Sequence, residues 1–198
     1  MNPATPLYRQ SFPYSCGPAS LIMALGALSP DLDLNQELEV ALWNDSNLGE
    51  SRATSSYGLA LAALRRGFGA RVYANGKGVG FIGSILEHFP AANGNNIRQH
   101  FELQKVRARE LGVEEVARKT ELNDIRAELE CFPIVLISSK MMGDFIGIPH
   151  WVLVTGVDDG NVTINNPETG RSESYSHKRF LKYLGWGDQT RMVCVFLK

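Results

Sequence analysis

Residues 17–28 restrict the fold of this chain more than any other stretch, because they predict a helix with no polar face. The sequence GPASLIMALGAL is small and apolar apart from Ser20, and Pro18 suits the first turn of a helix. A helix that is apolar on all sides is stable in water only when other elements cover it. The chain must therefore place this helix in its core, with Cys16 at the point where the preceding loop becomes helical.

Cys16 stands at a position that can activate a thiol. The N-terminus of a helix carries about half a positive charge and free N–H groups, and both lower the pKa of a nearby thiol. The alternative is a buried, inert side chain, as free cysteines commonly are. We assign that alternative to Cys131, which follows a helical stretch, and to Cys194, which lies in the terminal apolar run. The helix start that follows Cys16 favours a nucleophile there.

Bulk composition excludes several function classes. The chain has 198 residues, enough for one domain with a sizeable core, and its formal net charge is −1 with no basic block, so we expect no nucleic-acid partner. No apolar stretch approaches the about 20 residues of a membrane span, so we expect no membrane partner. The N-terminus has no signal-peptide pattern and the three cysteines predict no disulfide framework, which makes the cytoplasm the simplest expected location. The cysteines and the four histidines lack metal-binding spacing, so we expect no metal and no cofactor.

The chain divides into a helical part, about 1–131, and a sheet part, about 132–198, which we expect to form a single domain. In the first part, apolar spacing and capping residues also predict a short strand at 71–74 and helices at 35–43, 57–66, 82–89, 97–109, 113–119 and 120–131.

The sheet part begins with branched apolar runs that predict strands at 134–138 and 151–157. Asp159-Gly160 then predicts a hairpin turn to a return strand at 162–165. Helices followed by an antiparallel sheet predict an α+β fold.

This hairpin brings His150 and Asn166 together. His150 opens one strand, and Asn166 closes the return strand sixteen residues later. The start of one arm of an antiparallel hairpin lies beside the end of the other, so we expect both side chains at one rim of the sheet. A thiol, an imidazole that exchanges its proton and an amide that orients the ring together form a nucleophilic triad.

Gln10, six residues before Cys16, is the candidate side chain for an oxyanion hole, because a neutral amide donor does not quench a thiolate. Each of these residues also has an ordinary interpretation. His150 fits a half-buried histidine bonded to the backbone, Asn166-Pro167 is a turn signal, and Gln10 alone indicates nothing. The order of Gln, Cys at a helix start, His at a strand start and Asn one hairpin later favours catalysis.

These residues resemble the motifs of the papain-like cysteine peptidases that process bacteriocins at double-glycine leaders, and of their stand-alone cytoplasmic relatives. The similar positions are Gln10, the Cys-Gly-Pro-Ala run at 16–19, His150 and Asn166-Pro167. The resemblance implies a papain-like α+β fold with Cys16 as nucleophile, His150 as base, Asn166 as third member and Gln10 in the oxyanion hole. That family has Asp-Pro at the third position, so here the orienting role survives while the negative charge does not.

The resemblance covers the first 25 residues and about 135–170. The chain carries no transporter segments, so we do not expect maturation coupled to export. The loops 44–56 and 140–148 are expected to border the cleft. In the second loop, Met141, Met142 and Phe145 either line an apolar subsite or belong to a plain surface loop.

The expected reaction is acyl transfer through a thioester on Cys16, by a peptidase or amidase acting on a peptide or small amide. The same triad serves an acyltransferase, a transglutaminase-like enzyme or a deamidating enzyme. A non-catalytic peptide-binding module on a papain-like scaffold is the alternative from another class.

Overall fold

The structure is a computed structural model, and it describes residues 5–76, 79–88 and 93–198. Its α-helices are α1 (Cys16–Leu28), α2 (Gln36–Ser46), α3 (Ser56–Leu64), α4 (Val79–His88), α5 (Gly94–Glu110), α6 (Leu122–Ala127) and α7 (His177–Tyr183). Its strands are β1 (Phe68–Ala74), β2 (Glu114–Val116), β3 (Ile134–Ser138), β4 (Pro149–Val157), β5 (Asn161–Asn166), β6 (Arg171–Ser176) and β7 (Arg191–Leu197). Residue 89, the last of one predicted helix, lies outside the described residues. Within the described ranges, no helix combines the length and the apolar character needed to cross a membrane.

The strands form one sheet in the order β2-β1-β7-β3-β4-β5-β6. β1 and β2 are parallel, and the other neighbouring strands are antiparallel. The sheet confirms the predicted α+β class. Two of its strands come from the part before residue 132: β1 contains the strand predicted at 71–74, whereas β2 was not predicted. β1 completes the sheet by pairing along its whole length with β7, the last strand of the chain.

The predicted helix at 113–119 is wrong, because this segment contains β2. Gly112 has a φ of +80°, which ends α5 in a conformation that favours glycine, and the chain then runs beside β1. Arg71 of β1 donates to the Glu114 carboxylate at 2.7 Å. Pairing with the edge of β1 therefore overrides a local preference for helix.

The central strands β3, β4 and β7 are buried on both faces. In β3, Ile134 and Leu136 pack in one apolar core, whereas Val135 and Ile137 pack in a second core on the opposite face. Side chains alternate across a strand, so two cores require a continuous apolar run. This is why these strands lack the polar alternation of a sheet with one wet face.

Helix α1 is buried as predicted: every residue from Cys16 to Ala27 is in the interior. It packs against β4, where the Ser20 hydroxyl donates to the Trp151 carbonyl at 3.1 Å. A Cβ on Gly17 would lie 2.3 Å from the Thr54 hydroxyl oxygen. The small residue after Cys16 therefore lets α1 approach its neighbours closely.

Replacement of Gly58 tests the packing of α3 on α2. A Cβ on Gly58 would lie 2.3 Å from the backbone oxygen of Ser46, so Gly58→Ala is expected to lower the free energy of unfolding by about 1–3 kcal/mol. Urea unfolding measures the change.

The matched control is Gly83→Ala, because Gly83 is an exposed glycine in α4 with no atom within 4 Å of an added Cβ. Alanine there is expected to stabilise the protein by about 0.5–1 kcal/mol. Equal effects of the two substitutions would contradict the close contact between α2 and α3.

Candidate active site

Cys16 is the first residue of α1 and is 9% exposed. The preceding residue, Ser15, does not cap the helix with its side chain. The N–H groups of the first helical turn consequently remain available near the thiol. The backbone N–H groups of Trp151 and Gly17 help to lower the pKa of the thiol.

His150 reaches the thiol from the beginning of β4. It is 5% exposed, and it interacts with Cys16, because each of these two groups shifts the pKa of the other toward its charged form. Its Nε2 lies 3.0 Å from Oδ1 of Asn166, which leaves Nδ1 for the thiol. The structure therefore brings Cys16, His150 and Asn166 together, with the ring between the thiol and the amide.

Burial raises the pKa of the Cys16 thiol, but the hydrogen bond and charge of His150 outweigh it and hold that pKa below its ordinary value. Burial lowers the pKa of His150, whereas Cys16, Asn166 and the exposed Glu168 raise it, and the net pKa is above the ordinary value. Each group thus favours the charged form of the other. The pair is suited to exist as a thiolate and an imidazolium.

An irregularity in β4 places His150 and Asn166 on the same face of the sheet. β4 pairs Val154 with Ile164, but the register near the turn differs by one residue because of a shift between Val154 and Gly156. Side chains alternate between faces, so an unshifted hairpin would direct His150 and Asn166 to opposite faces. With the shift, they are diagonal neighbours within reach of each other.

Asn166 is 1% exposed and holds several partners besides His150. Its Oδ1 also accepts from the backbone N–H of Glu168 at 3.0 Å. Its amide nitrogen donates to a Glu173 carboxylate oxygen at 3.0 Å and lies 3.0 Å from the Met142 sulfur. Glu173 was not identified from the sequence, where it lies in a polar strand without any distinguishing motif.

The thiol opens onto a small cleft that is mainly apolar. The residues that line the cleft are Pro13, Tyr14, Cys16, Ala53, Thr54, Ile148, Pro149, His150 and Trp151. Both loops predicted to border it contribute, through Ala53 and Thr54 and through Ile148.

The three candidates for an apolar subsite have different positions. Met141 is fully buried in the second core, Met142 contacts Asn166, and Phe145 is 97% exposed. Met141 is therefore excluded as a residue of the cleft wall by its burial.

Gln10 lies beside the turn that follows Asn166. Its backbone N–H donates to the Pro167 carbonyl at 2.8 Å, and its side-chain nitrogen donates to the Phe12 carbonyl at 2.8 Å. Its side-chain oxygen is buried and accepts no hydrogen bond from the described residues. No side-chain hydrogen bond joins Gln10 to Cys16 in the described part of the chain, so its place in an oxyanion hole stays a prediction.

A buried carboxylate on α2 holds the segment that leads to Cys16. Glu39 accepts from the Tyr8 hydroxyl at 2.8 Å, from the Ser11 N–H at 2.9 Å and from the Ser15 hydroxyl. The sequence analysis did not identify Glu39. The available signal was its spacing three residues before the buried Leu42, which puts a carboxylate on the apolar side of a helix.

Comparison with known proteins agrees with this geometry. The model of the family DUF3335, described as Peptidase_C39 like family, matches residues 5–181. A search of the curated proteins gives no match. Among solved structures, the chain is similar to the peptidase domain of Streptococcus ComA, a bi-functional ABC transporter involved in a quorum sensing pathway. The TM-score is 0.53 and the identity 14%, over 98% of this chain and 99% of that chain. At this identity the likeness shows the fold alone, and that fold is papain-like, as the sequence motifs implied.

Alkylation of the cysteines tests whether the Cys16 thiol is activated. We expect iodoacetamide to label Cys16 with a pH midpoint below the about 8.5 of an ordinary thiol, because reactivity appears as pH rises through a lowered pKa. Cys131 and Cys194 serve as internal controls, since burial and then the charge of Glu128 raise the pKa of both thiols. Peptide mass spectrometry measures all three rates together.

The variant His150→Ala is expected to move the Cys16 midpoint upward, because the ring no longer stabilises the thiolate. An unchanged midpoint in this variant, or equally slow alkylation of all three thiols in the wild type, would contradict the coupling between Cys16 and His150.

Replacement of Glu39 tests the polar support of the N-terminal segment. Glu39→Ala leaves the buried Ser15 hydroxyl and the Ser11 N–H without this acceptor, so we expect unfolding to become easier by about 1–3 kcal/mol. We also expect faster proteolysis within residues 5–15. Glu37→Ala is the control, because Glu37 is an exposed acidic residue in the same helical turn. A loss of stability no larger than that of the control would show that Glu39 does not hold the segment.

Proposed function

Because the chain belongs to the Peptidase_C39 like family, we propose that it is a cysteine-dependent peptidase or amidase that acts by acyl transfer through a thioester on Cys16. The observation that carries the proposal is the interaction of Cys16 with His150, in which each side chain shifts the pKa of the other toward the charged form. An inert cysteine of a core would instead have a raised pKa, as Cys194 has.

In the first step, the Cys16 thiolate attacks the carbonyl carbon of a peptide or amide and forms a C–S bond. The negative charge moves to the carbonyl oxygen, which is nearest to the start of α1, where the backbone N–H of Cys16 is the first donor. As the tetrahedral intermediate collapses, the C–N bond breaks. The His150 imidazolium gives its proton to the leaving nitrogen, and the acyl group stays on Cys16 as a thioester.

In the second step, a water molecule attacks the thioester while His150 removes its proton. The C–S bond breaks, the carboxylic acid leaves and the thiolate is regenerated. Asn166 keeps the orientation of the His150 ring fixed during both steps, because its Oδ1 accepts the Nε2 proton and leaves Nδ1 to face the sulfur.

Gln10 is the second donor that this mechanism requires. Its amide nitrogen carries two protons, and the Phe12 carbonyl accepts one of them. The remaining N–H is the one assigned to the oxyanion. In this proposal Gln10 contributes to the rate of acylation, whereas His150 lowers the pKa of the thiol.

A peptide is the substrate that best fits the cleft. The cleft is narrow and mainly apolar, with Trp151 and Ile148 in its wall. Such walls accommodate a small or apolar stretch of chain and provide few partners for a charged substrate. An activated thiol is also readily oxidised, so the proposal carries with it the expectation of a reducing compartment.

Trapping of the acyl-enzyme tests the proposal. The protein is incubated with a peptide library, quenched in acid, and its intact mass and the peptide masses are measured. We expect a transient acyl adduct on Cys16 and shortened peptides, and we expect both to disappear in Cys16→Ala and His150→Ala. The variant Cys131→Ala is the matched control and is expected to retain them, because Cys131 lies outside the cleft.

The products also separate the alternatives. Deamidation adds about one dalton without cleavage, and transfer joins the acyl group to an added amine, whereas hydrolysis releases a free carboxylate. Products that persist in Cys16→Ala, or an alkylatable Cys16 that never forms an adduct with any peptide, would contradict the proposed activity and favour a binding module.

A further inference from the structure

The Asn166 side chain lies between the His150 ring and a carboxylate. On one side its Oδ1 is 3.0 Å from His150 Nε2, and on the other its amide nitrogen donates to Glu173 at 3.0 Å. The hydrogen bond between His150 and Asn166 is therefore followed by a second one, from Asn166 to Glu173. This series ends on a negative charge carried by β6.

These contacts determine which way the Asn166 amide faces. The backbone N–H of Glu168 donates to the same side of the amide as His150, so that side must be the oxygen. The Glu173 carboxylate can only accept, so the side that faces it must be the nitrogen. An amide rotated by half a turn would lose both of these contacts and would direct its own N–H groups at His150, where they oppose a protonated ring.

Glu173 is itself held in place. It accepts from the Thr169 hydroxyl at 2.7 Å and from the Tyr175 hydroxyl at 2.5 Å. Within the described part of the chain no Lys or Arg lies at ion-pair distance from it. The cation that its charge faces is consequently the imidazolium of His150, reached through Asn166.

Burial raises the pKa of the half-buried Glu173 carboxyl, but hydrogen bonds from Tyr175, Thr169 and Asn166, together with the charge of His150, bring the net pKa below its ordinary value. Glu173 is therefore ionised at neutral pH.

From this geometry we infer that Glu173 is a positioning residue that orients Asn166 and supplies, through its amide, the negative charge that stabilises protonated His150. Asn166 and Glu173 together then do what a single aspartate does when it bonds directly to a catalytic histidine. The inference rests on the proposed function, since it concerns the same pair of Cys16 and His150. Hydrogen bonds in series polarise one another, which allows a charge one residue removed to act on the ring.

Among the described residues, three titratable groups that interact with His150 come from different elements. Cys16 approaches from α1, Glu168 from the turn after β5, and Glu173 from β6. Glu168 is exposed, so solvent screens its charge, whereas Glu173 is half-buried and linked to the ring by hydrogen bonds. Glu168→Gln is therefore the matched control for Glu173→Gln.

The test exchanges the amide and the carboxylate between the two positions. The variants are Glu173→Gln, Asn166→Asp, the double variant N166D/E173Q and the control Glu168→Gln. The readout is the pH profile of Cys16 alkylation by iodoacetamide, measured by mass spectrometry on protein whose fold is checked by circular dichroism. This readout needs no knowledge of the substrate, and a purely structural role of Glu173 would not move it.

We expect Glu173→Gln to raise the Cys16 midpoint by about half to one pH unit, because less negative charge stabilises the imidazolium. Glu168→Gln should change it less. Asn166→Asp should impair alkylation at neutral pH, because two carboxylates then face each other. The double variant should recover Cys16 alkylation at neutral pH. The amide introduced on β6 donates to the carboxylate introduced on β5, and the net charge of the two side chains is again that of the wild type.

Two results would overturn the inference: a Glu173→Gln profile equal to that of Glu168→Gln, or a double variant no better than Asn166→Asp. If one single variant fails to fold, the comparison that does not use it still decides. Failure of the proposed function looks different, because wild-type Cys16 would then react no faster than Cys131. An activated wild-type Cys16 with an unmoved Glu173→Gln profile rejects only the role of Glu173.

Discussion

Cys16 and His150 lie on a helix and a strand that are far apart in sequence, and the packing of those two elements allows each side chain to shift the pKa of the other. α1 lies against the sheet because it has no polar side to turn toward water. Gly17 allows the helix to approach Thr54 and Trp151 without a side chain between them. The proximity of Cys16 and His150 therefore depends on the packing of the apolar core.

Two carboxylates, those of Glu39 and Glu173, accept hydrogen bonds from the polar groups around Cys16 and His150. Glu39 collects hydrogen bonds from the segment that enters α1, including those of Ser11 and Ser15. Glu173 collects them from Asn166, Thr169 and Tyr175. The carboxylates satisfy donors that water does not reach, because the N–H and O–H groups of loops need hydrogen-bonding partners when they are buried. Each end of the Cys16–His150–Asn166 chain is thereby tied to a different part of the fold.

The elements that were predictable from the sequence are those with a local physical signal. The all-apolar run of α1, the turn at Asp159-Gly160 and the branched runs of β3 and β4 each specify a structure within a few residues, and His150 and Asn166 follow from the hairpin. β2 was not predictable, because its strand conformation depends on pairing with β1 some forty residues earlier. Glu173 was not predictable either, since nothing local distinguishes a carboxylate that meets buried donors from one that meets water. Glu39 had a local signal, its place on the apolar side of α2, but the donors that it meets come from a distant segment.

The shifted register inside β4 has a consequence for the comparison of distant homologues. Whether the histidine and the amide share a face of the sheet depends on whether the number of residues between them is odd or even. The register shift between Val154 and Gly156 changes which of the two brings them to the same face. A homologue that lacked one residue here could still form a hairpin, yet it would turn its imidazole away from its amide unless the irregularity were also lost. Counting residues along an alignment is therefore an insufficient criterion for a functional triad. The register shift in the strand and the spacing between the histidine and the amide have to be retained together.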